Sequence, residues 1–175
     1  LKPALEQPQF FRLRPDNFPT LRLAELASVY HKNPQLFQQI IKTNHKKDIY
    51  KIFDIQLSEF WETHYSLTKQ SKAKTKRLSQ NFMDLLIINT LIPIKFCYQK
   101  QVNHEVSDEE IFELIESIKA EKNRKVNVFE DLRPKTNKNA LHSQALLQLK
   151  TQYCDKNYCL KCHLGKRILN QSKKL

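Results

Sequence analysis

Leu23, Leu26, Ala27 and Tyr30 stand at i, i+3, i+4 and i+7, the spacing of one helix face. A second helix is expected with Asn33 as N-cap, Pro34 in its first turn, and Phe37, Ile40 and Ile41 as its buried stripe. Ile49, Ile52 and Phe53 form a third apolar set, and Leu57, Phe60 and Trp61 lead through the stretch FWETHY. Residues 81–98 are apolar nearly all round, which predicts a central buried helix, and Pro93 is expected to kink or end it. The clearest local signal is SDEEIFELIESIKA. Ser107 reads as its N-cap and Glu110 as the reciprocal cap, acids fill the first turn, and Ile111, Leu114, Ile115 and Ile118 follow on one face. KVNVFEDL predicts a short helix. KNALHSQALLQLKTQYC predicts the last long one, with Leu141, Ala145, Leu149 and Tyr153 inward.

Composition sharpens this pattern into a fold class. The chain of 175 residues has a single glycine, so the positive-φ positions of tight hairpins are almost unavailable. The expectation is one all-α domain over 1–175, of six to eight helices around the central buried helix. Within it, 1–9 form an extended lead-in, 68–78 a basic loop and 153–167 a cysteine-rich segment. The most apolar run, LLIINTLIPIKFCY, is shorter than the roughly 20 residues a bilayer requires and contains Asn89, Thr90, Pro93 and Lys95. The opening residues lack the apolar stretch of a signal peptide. No membrane association and a cytoplasmic location are therefore expected.

Charge adds a partner class. Thirty Lys and Arg stand against 18 Asp and Glu, a formal net charge of +12, which favours polyanions. Two stretches concentrate it. RLRPDNFPTLR places Arg12, Arg14 and Arg22 around an expected helix start, where free N–H groups and guanidinium forks suit phosphate. The bland reading of the same residues is an entry loop whose arginines pair with Asp16 or Glu25. TKQSKAKTKRLSQ carries Lys69, Lys72, Lys74, Lys76 and Arg77 without an acid, and reads either as a phosphate-contacting segment or as a solvated loop. In FWETHY, Glu62 precedes His64 by two, but a core Trp beside a hydrogen-bonded His explains the stretch without chemistry. No phosphate-cradling glycine loop, zinc-protease pattern or nucleophile elbow occurs, so no catalytic residue is assigned.

The segment YCDKNYCLKCHLGKR holds three of the four cysteines and the glycine. Cys154-x4-Cys159-x2-Cys162 has the short spacing of a thiolate metal site, with zinc as the expected ion and an iron–sulfur cluster as the alternative. The fourth donor would come from Cys97, His142 or His163. Plain thiols or one disulfide are the other reading. Gly165 is then expected as the positive-φ residue of a turn or helix cap.

Four stretches, RLRPDNFPTLRLAELA, FWETHY, DLLIINTLIPIKFCY and SQALLQLKTQYCDKNYCLKCHLG, resemble the C-terminal part of the bacterial family called domain of unknown function 2851. The similarity spans about Phe10 to Leu169, with Glu25 and Ser79 as departures from residues common in the family. Members are usually longer, with an N-terminal half similar to the metal-dependent nuclease fold of restriction enzymes. The Gly-Pro-Asp-Phe stretch of that half is absent here. The resemblance implies a helical module beside a nuclease-like domain. The expected function is binding of DNA or RNA. The alternative is a protein-interaction or assembly module facing an acidic protein surface or that N-terminal domain.

Overall fold

A computed structural model describes residues 9–102 and 108–171, and in them every regular element is helical. A 3-10 turn, Pro15–Asn17, precedes α1 (Pro19–Lys32), α2 (Leu36–Lys42), α3 (Lys46–Phe53) and α4 (Glu59–Thr63). α5 (Gln80–Leu86) continues through a π-helical turn, Ile87–Leu91, into α6 (Ile92–Val102). Then come α7 (Asp108–Glu116), α8 (Arg124–Leu132), α9 (Ala140–Gln148), a second π turn (Leu149–Cys154) and α10 (His163–Gln171). The chain divides into two compact units, Leu1–Tyr98 and Gln99–Leu175.

In the first unit, α1 follows a rule other than its apolar stripe. Its buried face is Leu21, Glu25 and Val29, spaced four apart, while Leu23, Leu26 and Tyr30 are 60%, 50% and 58% exposed. A carboxylate in that face is tolerable because Arg22, one turn earlier, reaches Glu25 Oε2 at 2.7 Å. Asn33 is not the N-cap of α2. Its buried amide donates to the Val29 and Ile52 carbonyls at 2.9 and 3.1 Å, so it closes α1 and fastens it to α3. Accordingly α2 starts three residues later, at Leu36, and buries Leu36 and Ile40 while Phe37 is 53% exposed. α3 buries Ile49 and Phe53, and its Tyr50 hydroxyl donates to Asp84 Oδ1 on α5 at 2.6 Å. Burial, then that carboxylate, push the Tyr50 pKa up.

The helical run over 80–102 buries one stripe, Met83, Ile87, Leu91 and Lys95, while Leu85, Ile94, Phe96 and Tyr98 remain exposed. Burial all round is therefore not what its composition produces. Pro93 neither ends nor breaks it. The π turn lies just before the proline, with the Ile92 N–H reaching back to Ile87 O. This wider turn carries the preceding carbonyls off the path of the ring, so α6 continues to Val102.

Scarcity of glycine has a second consequence. Helices commonly finish on a left-handed glycine, which satisfies their last carbonyls. Here lysine ammonium groups do that work at three short helices. Lys95, 1% exposed, donates to Ile40, Ile41 and Thr43 carbonyls at 2.9, 2.7 and 3.0 Å, at the end of α2. Lys32 donates to Lys51 O and Asp54 O at 2.8 and 2.6 Å, at the end of α3. Lys76 donates to Trp61 O and Glu62 O, in the last turn of α4. Each places a cation at the negative end of a helix dipole.

The second unit is organised by α9. Ile111, Leu114, Ile115 and Ile118 are all buried, as the periodicity of α7 predicts. The proposed N-cap Ser107 lies outside the described residues. α8 begins at the Asn123 cap, whose side chain accepts from Val126 N, and buries Val126. α9 turns Ala140 and Ser143 to the core, not the expected Ala145, which is exposed. Ser143 accounts for that register: its hydroxyl donates to Asn137 Oδ1 at 2.7 Å and accepts from Glu121 N at 2.8 Å.

Candidate nucleic-acid interface

Two basic stretches separated by some fifty residues come together in the first unit. The tight turn Pro15–Asn17 places Arg14 before α1, with Asn17 N donating to Arg14 O at 2.8 Å. Facing it, the 68–78 segment is an extended strap laid along α4. Ser71 N donates to Thr63 O at 2.7 Å, and Lys74 N to Glu62 O at 2.9 Å. The first stretch is fastened just ahead of the strap, where Thr20 Oγ1 donates to Tyr65 O at 2.6 Å and Phe18 packs edge-to-face on Tyr65, and Lys76 of the strap lies over the same ring. Between them lies a polar cleft of about 170 Å³ walled by Asp16, Arg22, Lys74, Lys76 and Arg77.

The sequence-predicted cations divide into two groups. Arg12, Arg14, Lys69, Lys72, Lys74 and Arg77 are exposed, and Lys74 Nζ lies 3.9 Å from Asp16. Arg22 and Lys76 are committed to the fold. Arg22 binds Glu25 and, at 2.7 Å, Asn17 Oδ1, and its guanidinium lies 3.7 Å from the Phe82 ring centroid. Lys76 is 6% exposed and sits 4.0 Å over the Tyr65 ring in addition to its two carbonyls. Burial lowers its pKa, with Asp16 pulling the other way. Glu25 is likewise shifted up by burial, against the opposing effect of Arg22.

His64 stacks on Phe60 with centroids 4.0 Å apart, and its Nδ1 lies 2.9 Å from Phe60 O.

A wide apolar groove of about 790 Å³ adjoins the cleft and shares Arg22 and Glu25 with it. Leu26, Tyr30 and Phe37 form one wall, Phe82, Leu86 and Ile94 the other. Of the exposed stripe of α1, Leu26 and Tyr30 line it.

In the second unit the chain from Cys154 to Gly165 winds into a compact knuckle. Tyr158 N donates to Tyr153 O, Cys162 N to Tyr158 O and Lys166 N to Cys162 O, all within 3.0 Å, while Asn157 takes a left-handed φ of 55°. Cys154 and Cys159 are exposed and Cys162 is buried, all as free thiols. Partial desolvation, with the neighbouring Cys162 as the next cause, raises the Cys154 pKa although its side chain is exposed. Among the described residues no three His, Cys, Asp or Glu side chains are set to hold one metal ion. Of the proposed fourth donors, His142 accepts at Nδ1 from Lys138 N at 3.3 Å, at the start of its own helix. Gly165 has no positive φ. It lies inside α10, where a Cβ would fall 3.0 Å from both the carbonyl carbon and Cα of Cys159 and closer still to its oxygen.

Residues 2–124 match the family described as "Protein of unknown function (DUF2851)". The chain belongs to that family. No curated protein and no solved structure matches it. In this DUF2851 protein both basic stretches and the groove lie within the matched residues, whereas the cysteine knuckle lies beyond them. No helix among the described residues is long and apolar enough to cross a membrane. Sequence patterning missed the buried Glu25, because a lone acid in an apolar stripe reads as surface. It also missed the groove, because periodicity identifies a face but not what covers it.

Proposed function

We propose that the first unit binds the phosphate backbone of nucleic acid through Arg12, Arg14, Lys69, Lys72, Lys74 and Arg77. The observation that supports this reading is the meeting of the two basic stretches across one cleft with these six side chains left outward. Binding of this kind follows charge, carries no base readout and weakens as salt rises. Replacing Lys69, Lys72 and Lys74 by Gln is expected to weaken retardation of a DNA duplex. It should also reduce the slope of log affinity against log salt by up to about 0.9 for each phosphate no longer neutralised. Arg22→Gln and Lys76→Gln are expected to lower stability instead, since those cations hold Glu25 and α4. Absence of any retardation of DNA or RNA by the wild-type protein at low salt sinks this reading.

A second reading, docking of a partner protein, is favoured by exposed Leu26 and Tyr30 of α1 along the 790 Å³ groove, and the exposed cations of the same unit suit an acidic partner. A wild-type protein that ignores DNA and RNA at low salt, while Leu26→Asp abolishes capture of one purified acidic partner, supports it. Zinc held by Cys154, Cys159 and Cys162, or an iron–sulfur cluster there, is a separate proposal. Elemental analysis decides it: one equivalent of metal per chain establishes a site, and its absence leaves plain thiols.

A further inference from the structure

We infer that the nucleic acid recognised by this surface is single-stranded, and that the Phe11 ring is a platform on which an unpaired base stacks. The inference rests on the nucleic-acid reading above. Isolated exposed apolar side chains are ordinary, so exposure alone does not distinguish Phe11. Three further observations do. The first is its setting: Phe11 is 77% exposed, while Phe10, its neighbour, packs edge-to-face on Phe18 with centroids 5.1 Å apart. One ring of the pair anchors the loop and the other is turned outward. The second is backbone strain. Arg12 has φ 60°, a left-handed conformation that is unfavourable for a non-glycine residue. Phe11 and Arg12 are the two central residues of this turn, which is held by Leu13 N donating to Phe10 O at 3.3 Å. The third is charge. The Arg12 guanidinium lies 5.0 Å from the Phe11 centroid, and Arg14 follows on the same loop. The loop packs through Phe18 on Tyr65, whose ring also carries Lys76 of the strap that bears Lys69, Lys72 and Lys74.

An aromatic face among cations suits single strands for a physical reason. In a duplex the base faces are already stacked on each other, and a protein meets phosphates and groove edges. An unpaired base offers a free face, and stacking it on an aromatic ring strengthens binding by roughly 5- to 150-fold without sequence preference. Flanking Arg and Lys track the backbone on either side. Phenylalanine has no hydrogen-bonding group, so every base is accepted.

The test measures anisotropy of a fluorescein-labelled oligothymidine of about 20 nucleotides, longer than the ~4–16-nucleotide site of single-strand-binding folds. A labelled mixed-sequence duplex of the same length is measured beside it. The wild-type protein is expected to prefer the single strand. Phe11→Ala should weaken that affinity about tenfold, within the stacking range, and leave both the salt slope and duplex affinity unchanged. Phe11→Trp should keep the affinity, with its indole fluorescence quenched on binding. Lys69→Gln with Lys72→Gln should instead lower both affinities and the salt slope. Equal single-strand affinity for wild type and Phe11→Ala overturns the inference while the nucleic-acid reading stands. Failure of the wild type to bind either probe overturns both. Phe11 is exposed, so an unchanged circular dichroism spectrum for Phe11→Ala confirms that the comparison is between folded proteins.

Discussion

Lys95→Met is expected to destabilise the first unit by about 3 kcal/mol or more, although it keeps most of the aliphatic stem. Lys95 is 1% exposed, and its ammonium satisfies three carbonyls at the end of α2. Thr43 N provides only a long second bond to one of them, at 3.3 Å to Ile40 O. A buried acceptor left without a donor costs about 1–3 kcal/mol, and hydrogen bonds from a charged donor exceed neutral ones. The cation also faces the negative end of the helix. Against a total stability of roughly 5–15 kcal/mol this is a large share. Urea unfolding followed by far-UV circular dichroism measures it as a shift of midpoint at unchanged slope. Lys72→Met, on the exposed strap, is the control and should stay within about 0.5 kcal/mol of wild type. A Lys95→Met protein as stable as that control would show that the carbonyls find other donors, and the capping account would be wrong.

That expectation bears on how the charge of the chain is to be read. A surplus of +12 invites assignment to a polyanion partner. Yet Lys32, Lys76 and Lys95 are helix caps, and Arg22 neutralises a buried Glu25. Part of the basic composition is thus the counterpart of the missing glycine. On the Arg12–Arg14 loop and the 68–78 strap the cations still free to meet a partner are the exposed ones, Arg12, Arg14, Lys69, Lys72, Lys74 and Arg77.

Much of the local structure was legible. α7 needed only its own periodicity: Ile111, Leu114 and Ile115, with Ile118 just past its end, are all buried. The all-helical class followed from one glycine. What escaped the sequence was decided by partners distant along the chain. Asn33 has the composition of an N-cap, but its amide finds the Ile52 carbonyl on α3 and ends α1 instead. Pro93 has the composition of a break, but a π turn absorbs it. The stripe of α1 is periodic and still exposed, because Leu21, Glu25 and Val29 already fill the core side. For the candidate site, the two runs of charge were visible separately. Their meeting, and the commitment of Arg22 and Lys76 to partners within the fold, depend on the Thr20–Tyr65, Arg22–Phe82 and Lys76–Trp61 contacts that only the fold creates.

Gly165→Ala carries the other large expectation, and its sign is opposite to that of an ordinary helix position. In an exposed helix interior, alanine is better than glycine by roughly 0.8–1 kcal/mol. Gly165 has no positive φ, so backbone conformation does not demand glycine. Space does. A Cβ would meet the Cys159 carbonyl carbon and Cα at 3.0 Å, and the obstructing atoms are backbone that the knuckle's own hydrogen bonds hold in place. Overpacking of this kind costs about 1–3 kcal/mol, which outweighs the propensity gain. The expected outcome is displacement of α10 from the knuckle. Cys162, now buried, should react faster with a thiol reagent, while Cys154 and Cys159, already exposed, should change little. Amide exchange should quicken at Cys162 and Lys166, whose N–H groups bond within the knuckle. Gly165→Ser should behave as alanine does, because the clash belongs to Cβ. An alanine variant with a higher melting temperature and unchanged Cys162 reactivity would mean that α10 does not press on Cys159, and that the chain's one glycine serves some other end.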